Sequence, residues 1–68
     1  MRIYANSDEF VRTRIIKGLT QRDLAQLTGV SHGYISMVER AVKSVGPGVA
    51  KKVSGILDKR IEELFRIE

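Results

Sequence analysis

Few side chains of this sequence could bind a ligand or take part in a reaction, and most of them lie in one short stretch of the chain. His32, Ser36 and Arg40 recur at intervals of four, so on a helix they would form a single polar row. Gly33 and Met37 would lie beside that row. Together these residues offer hydrogen-bond donors and acceptors, a cation and a flexible apolar group. Such a surface is suited to forming hydrogen bonds with a partner rather than to making or breaking covalent bonds.

The sequence lacks the combinations that catalysis and metal binding need. It contains one histidine and no cysteine, so no nucleophile is accompanied by both a base and an orienting group. A single histidine cannot form a metal site. The Gly46-x-Gly48 pair lacks the third glycine and the preceding strand of a dinucleotide-binding loop. We therefore expect no enzyme activity, no cofactor and no small-molecule substrate.

Length and composition predict one small domain. A chain of 68 residues forms a single core that buries about 60% of its unfolded surface. The absence of cysteine suits a reducing cytoplasm. No apolar run approaches the ~20 residues of a membrane span, and the first residues do not open a signal peptide. We expect a cytoplasmic protein without a membrane partner, associated with the nucleoid if it binds DNA.

Positive charge is concentrated in the middle of the chain. The formal net charge is +4, but residues 10–52 carry eight basic residues against Asp23 and Glu39, which gives +6. Residues 1–9 and 53–68 each sum to −1. A net charge of +4 by itself indicates only solubility or a polyanionic partner. The concentration of positive charge around this segment favours nucleic acid over a generally basic surface.

The basic segment contains two short predicted helices, residues 21–41, joined by a tight turn. Thr20 followed by Asp23 is a capping box, which predicts that a helix begins at Gln21. Gly29 can adopt the positive φ that ends a helix.

Ser31 is the predicted N-cap of the second helix in this unit. The apolar stripe of this helix consists of Ile35, Val38 and Val42. The polar row described above lies on a different face, so the helix has one side to bury and another to present.

Residues of this unit resemble the helix-turn-helix of phage-repressor and Cro-like (XRE-type) DNA-binding proteins. The resemblance is carried by Gln21, Ala25-x-x-x-Gly29, Val30-Ser31 and Tyr34-Ile35-Ser36-x-Val38-Glu39-Arg40. A looser likeness extends from about Phe10 to about Phe65. It implies an all-α fold, a compact bundle of five short helices without a sheet, in a single domain over residues 1–68.

The resemblance also implies which residues contact double-stranded DNA, because the second helix of such a unit lies in the major groove. The expected base-contacting residues are His32, Gly33, Ser36 and Met37. The expected phosphate-contacting residues are Gln21, Tyr34, Arg40 and Lys43. The alternatives are that His32 and Ser36 are ordinary exposed residues, that Met37 fills the core and that Tyr34 packs against the preceding helix.

An ion pair is implied as well, since the family commonly joins an arginine of helix 1 to a glutamate at the end of helix 3. The matching residues here are Arg14 and Glu39; the alternative is two solvated charges. Such a pair, if partly buried, holds the two helices together, although desolvation offsets much of its attraction. The family usually has a glycine after Arg40, whereas this chain has Ala41, so we expect helix 3 to continue through Val42.

The N-terminal part is predicted to contain an arm and a helix. Residues 1–5 are expected to be extended and loosely packed; alternatively, Ile3 and Tyr4 cover apolar surface or touch a second subunit. A first helix is predicted over about 7–17. Its expected buried residues are Phe10, Val11, Ile15 and Ile16.

The C-terminal part is predicted to contain two helices. Pro47 suits the first turn of a helix that ends at about Leu57, and Asp58 is the expected N-cap of a last short helix. A competing interpretation of residues 45–50 is a helix-hairpin-helix turn that grips phosphate, although the usual Gly-to-Ala spacing is not met.

These observations predict a sequence-specific regulator of transcription, a small repressor from a bacterium, phage or mobile element. A homodimer on DNA is expected, because one recognition helix reads only a few base pairs. The candidate dimer contacts are the apolar residues Ile61, Leu64, Phe65 and Ile67. The alternative is an antitoxin or adaptor that acts mainly through protein–protein binding.

Overall fold

The computed structural model describes residues 1–68 and contains five helices and two short strands. In chain order they are β1 (Ile3–Ala5), α1 (Ser7–Ile16), α2 (Gln21–Thr28), α3 (His32–Glu39), α4 (Pro47–Leu57), α5 (Ile61–Leu64) and β2 (Phe65–Ile67). The predicted bundle of five helices is confirmed, and the strands are an addition to it. None of the helices combines the length and the apolar character needed to span a membrane.

The ends of α2 are fixed by local hydrogen bonds. Thr20 Oγ1 accepts from the backbone N–H of Asp23, and the Asp23 carboxylate accepts from the N–H of Thr20, both at 3.0 Å. The Thr20 backbone N–H, aided by the Thr20 hydroxyl, holds the pKa of the Asp23 carboxyl below its ordinary value. At the other end Gly29 has φ 76° and closes the helix in the left-handed region.

The core collects apolar side chains from all seven elements and from the loop before α4. Its largest aromatic contact joins Phe10 of α1 to Phe65 of β2, edge to face, with ring centroids 5.9 Å apart. The buried apolar residues are Ile3, Ala5, Phe10, Leu24, Ala25, Ile35, Val38, Val45, Ala50, Val53, Leu57, Leu64 and Phe65. This core supports α2 and α3 from below.

β1 and β2 form an antiparallel two-stranded sheet, and the expectation of a loose arm without a sheet was wrong. Ile3 faces Ile67, and Ala5 faces Phe65. Ile3 and Ala5 are buried in the core, so the alternative in which the arm covers apolar surface is correct for Ile3. Each strand has only three residues, which is too few for an alternating pattern to be recognised.

Helix α1 buries a narrower face than its apolar residues suggested. Phe10 and Thr13 are buried, whereas Ile15 and Ile16 are 61% and 70% exposed. Val11 is half-buried. Positions 10, 13 and 14 share one side of a helix, and in this chain that side is partly polar. The prediction that Ile15 and Ile16 are buried was therefore wrong.

Helix α3 ends at Glu39, so the expected continuation through Val42 was also wrong. Ala41 has φ 60°; its N–H donates to the carbonyl of Val38 at 3.0 Å, and the Val42 N–H donates to that of Met37 at 3.1 Å. This pair of bonds is a Schellman motif, which usually has glycine at the position of Ala41. The turn exposes Val42, which therefore does not belong to the buried stripe.

Asp58 closes α4 instead of capping α5, contrary to the prediction. It has φ 57°, in the left-handed region that aspartate tolerates better than most residues. The residue that precedes α5 is Arg60, whose N–H donates to the Glu63 carboxylate at 2.9 Å.

Candidate nucleic-acid interface

Helix α3 has a buried side and a side open to solvent. Ile35, Val38 and Glu39 are buried. Among the remaining residues, His32, Gly33 and Arg40 are exposed, and Ser36 and Met37 are half-buried. The predicted base-contacting residues therefore share the open side, which we call the α3 outer face: His32, Gly33, Ser36, Met37 and Arg40.

A chain of polar contacts ties the end of α3 to α1 and α2. Arg14 Nε donates to Glu39 Oε1 at 2.7 Å, and Arg14 Nη1 donates to the Leu19 carbonyl at 2.8 Å. Gln21 Nε2 donates to Glu39 Oε2 at 2.6 Å. The buried Glu39 carboxylate thus bonds to a cation and to an amide, which together replace the water it has lost. The orientation of α3 is fixed from behind by this network.

Gln21 extends the network to the α3 outer face. Because the Glu39 carboxylate only accepts hydrogen bonds, Gln21 turns its Nε2 toward Glu39 and its Oε1 toward His32, 3.2 Å from His32 Nε2. Nε2 of His32 is therefore the donor in this contact. The free chain uses both ends of the Gln21 amide internally, and phosphate contact by this residue stays a prediction.

The other predicted phosphate-contacting residues lie at the two ends of α3 and in the loop after it. Arg40 is exposed, with its Nε 3.3 Å from the Ser36 carbonyl. Lys43 Nζ lies 5.9 Å from the centre of the Tyr34 ring, a cation–π distance. Tyr34 is half-buried and packs against the core, and its phosphate contact stays a prediction. No spacing rule predicts the Lys43–Tyr34 contact, since the two residues are nine positions apart.

The structure removes two residues from the candidate dimer contacts. Leu64 and Phe65 are buried in the core of their own chain, so they have no surface to offer a partner. Ile61 is half-buried and packs against the same core. Ile67 is 57% exposed and retains a free apolar surface.

The chain contains no group of three or more metal-ligating side chains that could hold an ion. The α3 outer face thus offers hydrogen-bonding groups, one methionine and a cationic rim.

Comparisons with known proteins agree with this geometry. A helix-turn-helix family model matches residues 12–64. The restriction-modification controller protein C.AhdI from Aeromonas hydrophila is 32% identical, with a TM-score of 0.75 over 84% of this chain and 86% of that one. The clp gene regulator ClgR from C. glutamicum is also 32% identical, with a TM-score of 0.71 over 82% of this chain and 73% of that one.

A putative DNA-binding protein from Bacteroides fragilis has the same fold at 20% identity, with a TM-score of 0.78 over 94% of this chain and 98% of that one. Among curated protein sequences, none is significantly similar to this chain.

Proposed function

Because this chain belongs to the XRE-type helix-turn-helix family of DNA-binding transcriptional regulators, we propose that it represses transcription by binding operator DNA as a homodimer. The observation that carries the proposal is the α3 outer face, which is left open while the opposite side of the helix packs in the core. The major groove is wide enough to admit a helix presented in this way.

His32 and Ser36 supply the hydrogen bonds to base edges in this proposal. His32 is oriented by Gln21, and its Nδ1 remains available to a base. Met37 provides apolar contact of the kind that a thymine methyl accepts. Gly33 leaves room for DNA: beyond its chain neighbours and the backbone of α3 itself, a Cβ at this position would meet no protein atom within 4 Å, so packing does not require glycine here.

Phosphate contacts are assigned to Gln21, Tyr34, Arg40 and Lys43. Gln21 begins α2, whose first N–H groups point out of the helix and favour an anion. Arg40 and Lys43 follow α3 and bring positive charge to the far side of the groove. These contacts fix the position of the protein on the duplex without reading its sequence.

A dimer is proposed because one α3 reads too few base pairs for useful specificity. Two copies would place their recognition helices ~34 Å apart, one turn of the duplex, on two related half-sites. Two relatives of equal identity are named for different systems, restriction-modification in one and clp genes in the other. The operator of this chain must therefore be found by experiment.

Selection of bound sites from random duplexes tests the proposal directly. We expect enrichment of a palindrome, and loss of ~1–3 kcal/mol of binding free energy at one base position per half-site for His32→Ala or Ser36→Ala. Lys59→Ala is a surface control, since Lys59 lies between α4 and α5, outside the helix-turn-helix. A chain that ignores duplexes in dilute buffer but captures another protein would support the adaptor alternative instead.

A further inference from the structure

The backbone hydrogen bonds between β1 and β2 alternate regularly. Arg2 and Glu68 exchange both bonds, at 2.9 and 2.8 Å, and the Asn6 N–H donates to the Leu64 carbonyl at 2.8 Å. With Tyr4 facing Arg66, the residues at 64, 66 and 68 direct their peptide groups toward β1. In an antiparallel ladder the residues between them direct theirs the other way. Ile67 therefore turns its N–H and C=O to the outer edge of β2.

The sheet has two outer edges, and only the edge formed by β2 is not covered by another part of the chain. On the β1 side, the N–H of the buried residue Val45 donates to the Ile3 carbonyl at 2.9 Å. On the β2 side, Arg66, Ile67 and Glu68 are all exposed, and no element of the chain covers them. An uncovered strand edge with unpaired peptide groups is a template for another strand.

We propose that the outer edge of β2 pairs with β2 of a second copy of this chain, antiparallel and about a two-fold axis at Ile67. The two small sheets then join into one sheet of four strands. This inference rests on the proposed function and deepens it, because it names the surface through which the two copies of the regulator meet.

Charge selects the register of this pairing. An axis at Arg66 would place the two Arg66 side chains directly opposite each other, and like charges in that position are destabilising. An axis at Ile67 places Arg66 opposite Glu68 of the partner subunit, and it does so twice. Arg66 and Glu68 already share one face of β2, where Arg66 Nε lies 2.7 Å from Glu68 Oε2. The four charges would then alternate in sign.

The Ile67 axis also uses the exposed apolar surface. Ile67 faces the same side of the strand as Phe65, and over half of its surface is open to water. On the charged side, Arg66 is held over the ring of Tyr4, 5.5 Å from its centre. The edge is thus preformed: the cation is positioned before a partner arrives, which lowers the entropy lost on association.

Substitution of Ile67 by proline tests the edge without touching the internal ladder. Proline removes an N–H that faces outward, a place where edge strands tolerate it, whereas Ile67→Val keeps both the N–H and a β-branched side chain. Sedimentation equilibrium on the full chain should show concentration-dependent dimers for the original protein and Ile67→Val. Ile67→Pro should weaken dimerisation at least tenfold with an unchanged helical circular-dichroism spectrum. A monomer at millimolar concentration, or dimerisation of the proline variant at the original strength, overturns the proposal.

Charge exchange tests the register independently of proline. Arg66→Glu and Glu68→Arg should each weaken self-association, and an equimolar mixture of the two variants should recover it as a heterodimer. If Arg66→Glu dimerises as well as the original chain, the axis at Ile67 is wrong. Binding to a duplex with a single half-site, measured with the same variants, should be unchanged. Absence of DNA binding with β2-dependent dimers intact would refute the proposed function and leave this pairing standing.

Discussion

Removal of the ion pair between Arg14 and Glu39 should lower the free energy of unfolding more than removal of any other polar contact. The two side chains are only 12% and 7% exposed. Arg14→Ala leaves the Glu39 carboxylate in the core with Gln21 as its remaining hydrogen-bond partner, and leaving one charge of a buried pair unpaired costs about 3–5 kcal/mol. A domain of this length is stable by only ~3–10 kcal/mol. We therefore expect Arg14→Ala to lose a large share of its free energy of unfolding.

Removing both charges should cost much less than removing one. Arg14→Met combined with Glu39→Leu replaces the pair by apolar groups of similar volume, an exchange that is often neutral in other proteins. Gln21 then loses a partner, but it lies near solvent and can bond to water. We expect the double variant to recover most of the stability lost by either single variant.

Urea unfolding, followed by the helical circular-dichroism signal, measures this cycle. The two single variants and the double variant together give a coupling free energy, which we expect to be ~2–4 kcal/mol. Strictly additive effects, or single variants that each cost less than ~1 kcal/mol, would show that the two charges behave as a solvated surface pair. The reasoning from burial would then be refuted.

Three further results are expected. Ala41→Gly should raise the unfolding free energy by ~0.5–1 kcal/mol in urea titrations, because relief of the left-handed strain at φ 60° exceeds the entropy that glycine adds to the unfolded chain; a destabilised variant would contradict this. Because the pKa of Asp23 is lowered, its contribution to stability is complete above the unfolded pKa of about 3.9 and is lost as pH falls through the folded value. Asp23→Asn should therefore reduce the loss of unfolding free energy as pH falls. An unchanged loss would argue against the capping box as its cause. Lys43→Gln should reduce the slope of log affinity against log salt by ~0.9 for every DNA sequence, and a loss confined to one base position would make Lys43 a base contact.

What could be predicted from the sequence was what short stretches determine by themselves. Thr20, Asp23 and Gly29 act within a few residues of one another, so the bounds of α2 followed from capping and turn chemistry. The open side of α3 followed from helical periodicity. These local signals predicted the two helices and their outward-facing residues, and the resemblance to XRE-type proteins identified them as a helix-turn-helix.

The errors in α1 and at β1 and β2 arose where distant residues decide the outcome, whereas those at Ala41 and Asp58 arose because a residue other than glycine adopts the left-handed region. Ile15 and Ile16 are apolar, but the core lies on the other side of α1, where Thr13 and Arg14 are needed. β1 and β2 are extended only because they pair with each other, although they lie more than fifty residues apart in the sequence. The contact of Gln21 with His32 depends on Glu39 fixing the amide orientation, and no spacing rule indicates that dependence.

The meeting of β1 and β2 has a consequence for the order in which the molecule assembles. Pairing residue 2 with residue 68 ties the chain into a loop of more than sixty residues, and closing so long a loop carries an entropic cost that contacts between neighbours avoid. Contacts within and between α2 and α3 close much shorter loops, so they cost less entropy than the pairing of β1 with β2. A second copy that binds along β2 would then pair only with chains in which β1 and β2 have already formed their sheet, so that self-association would be restricted to fully folded chains.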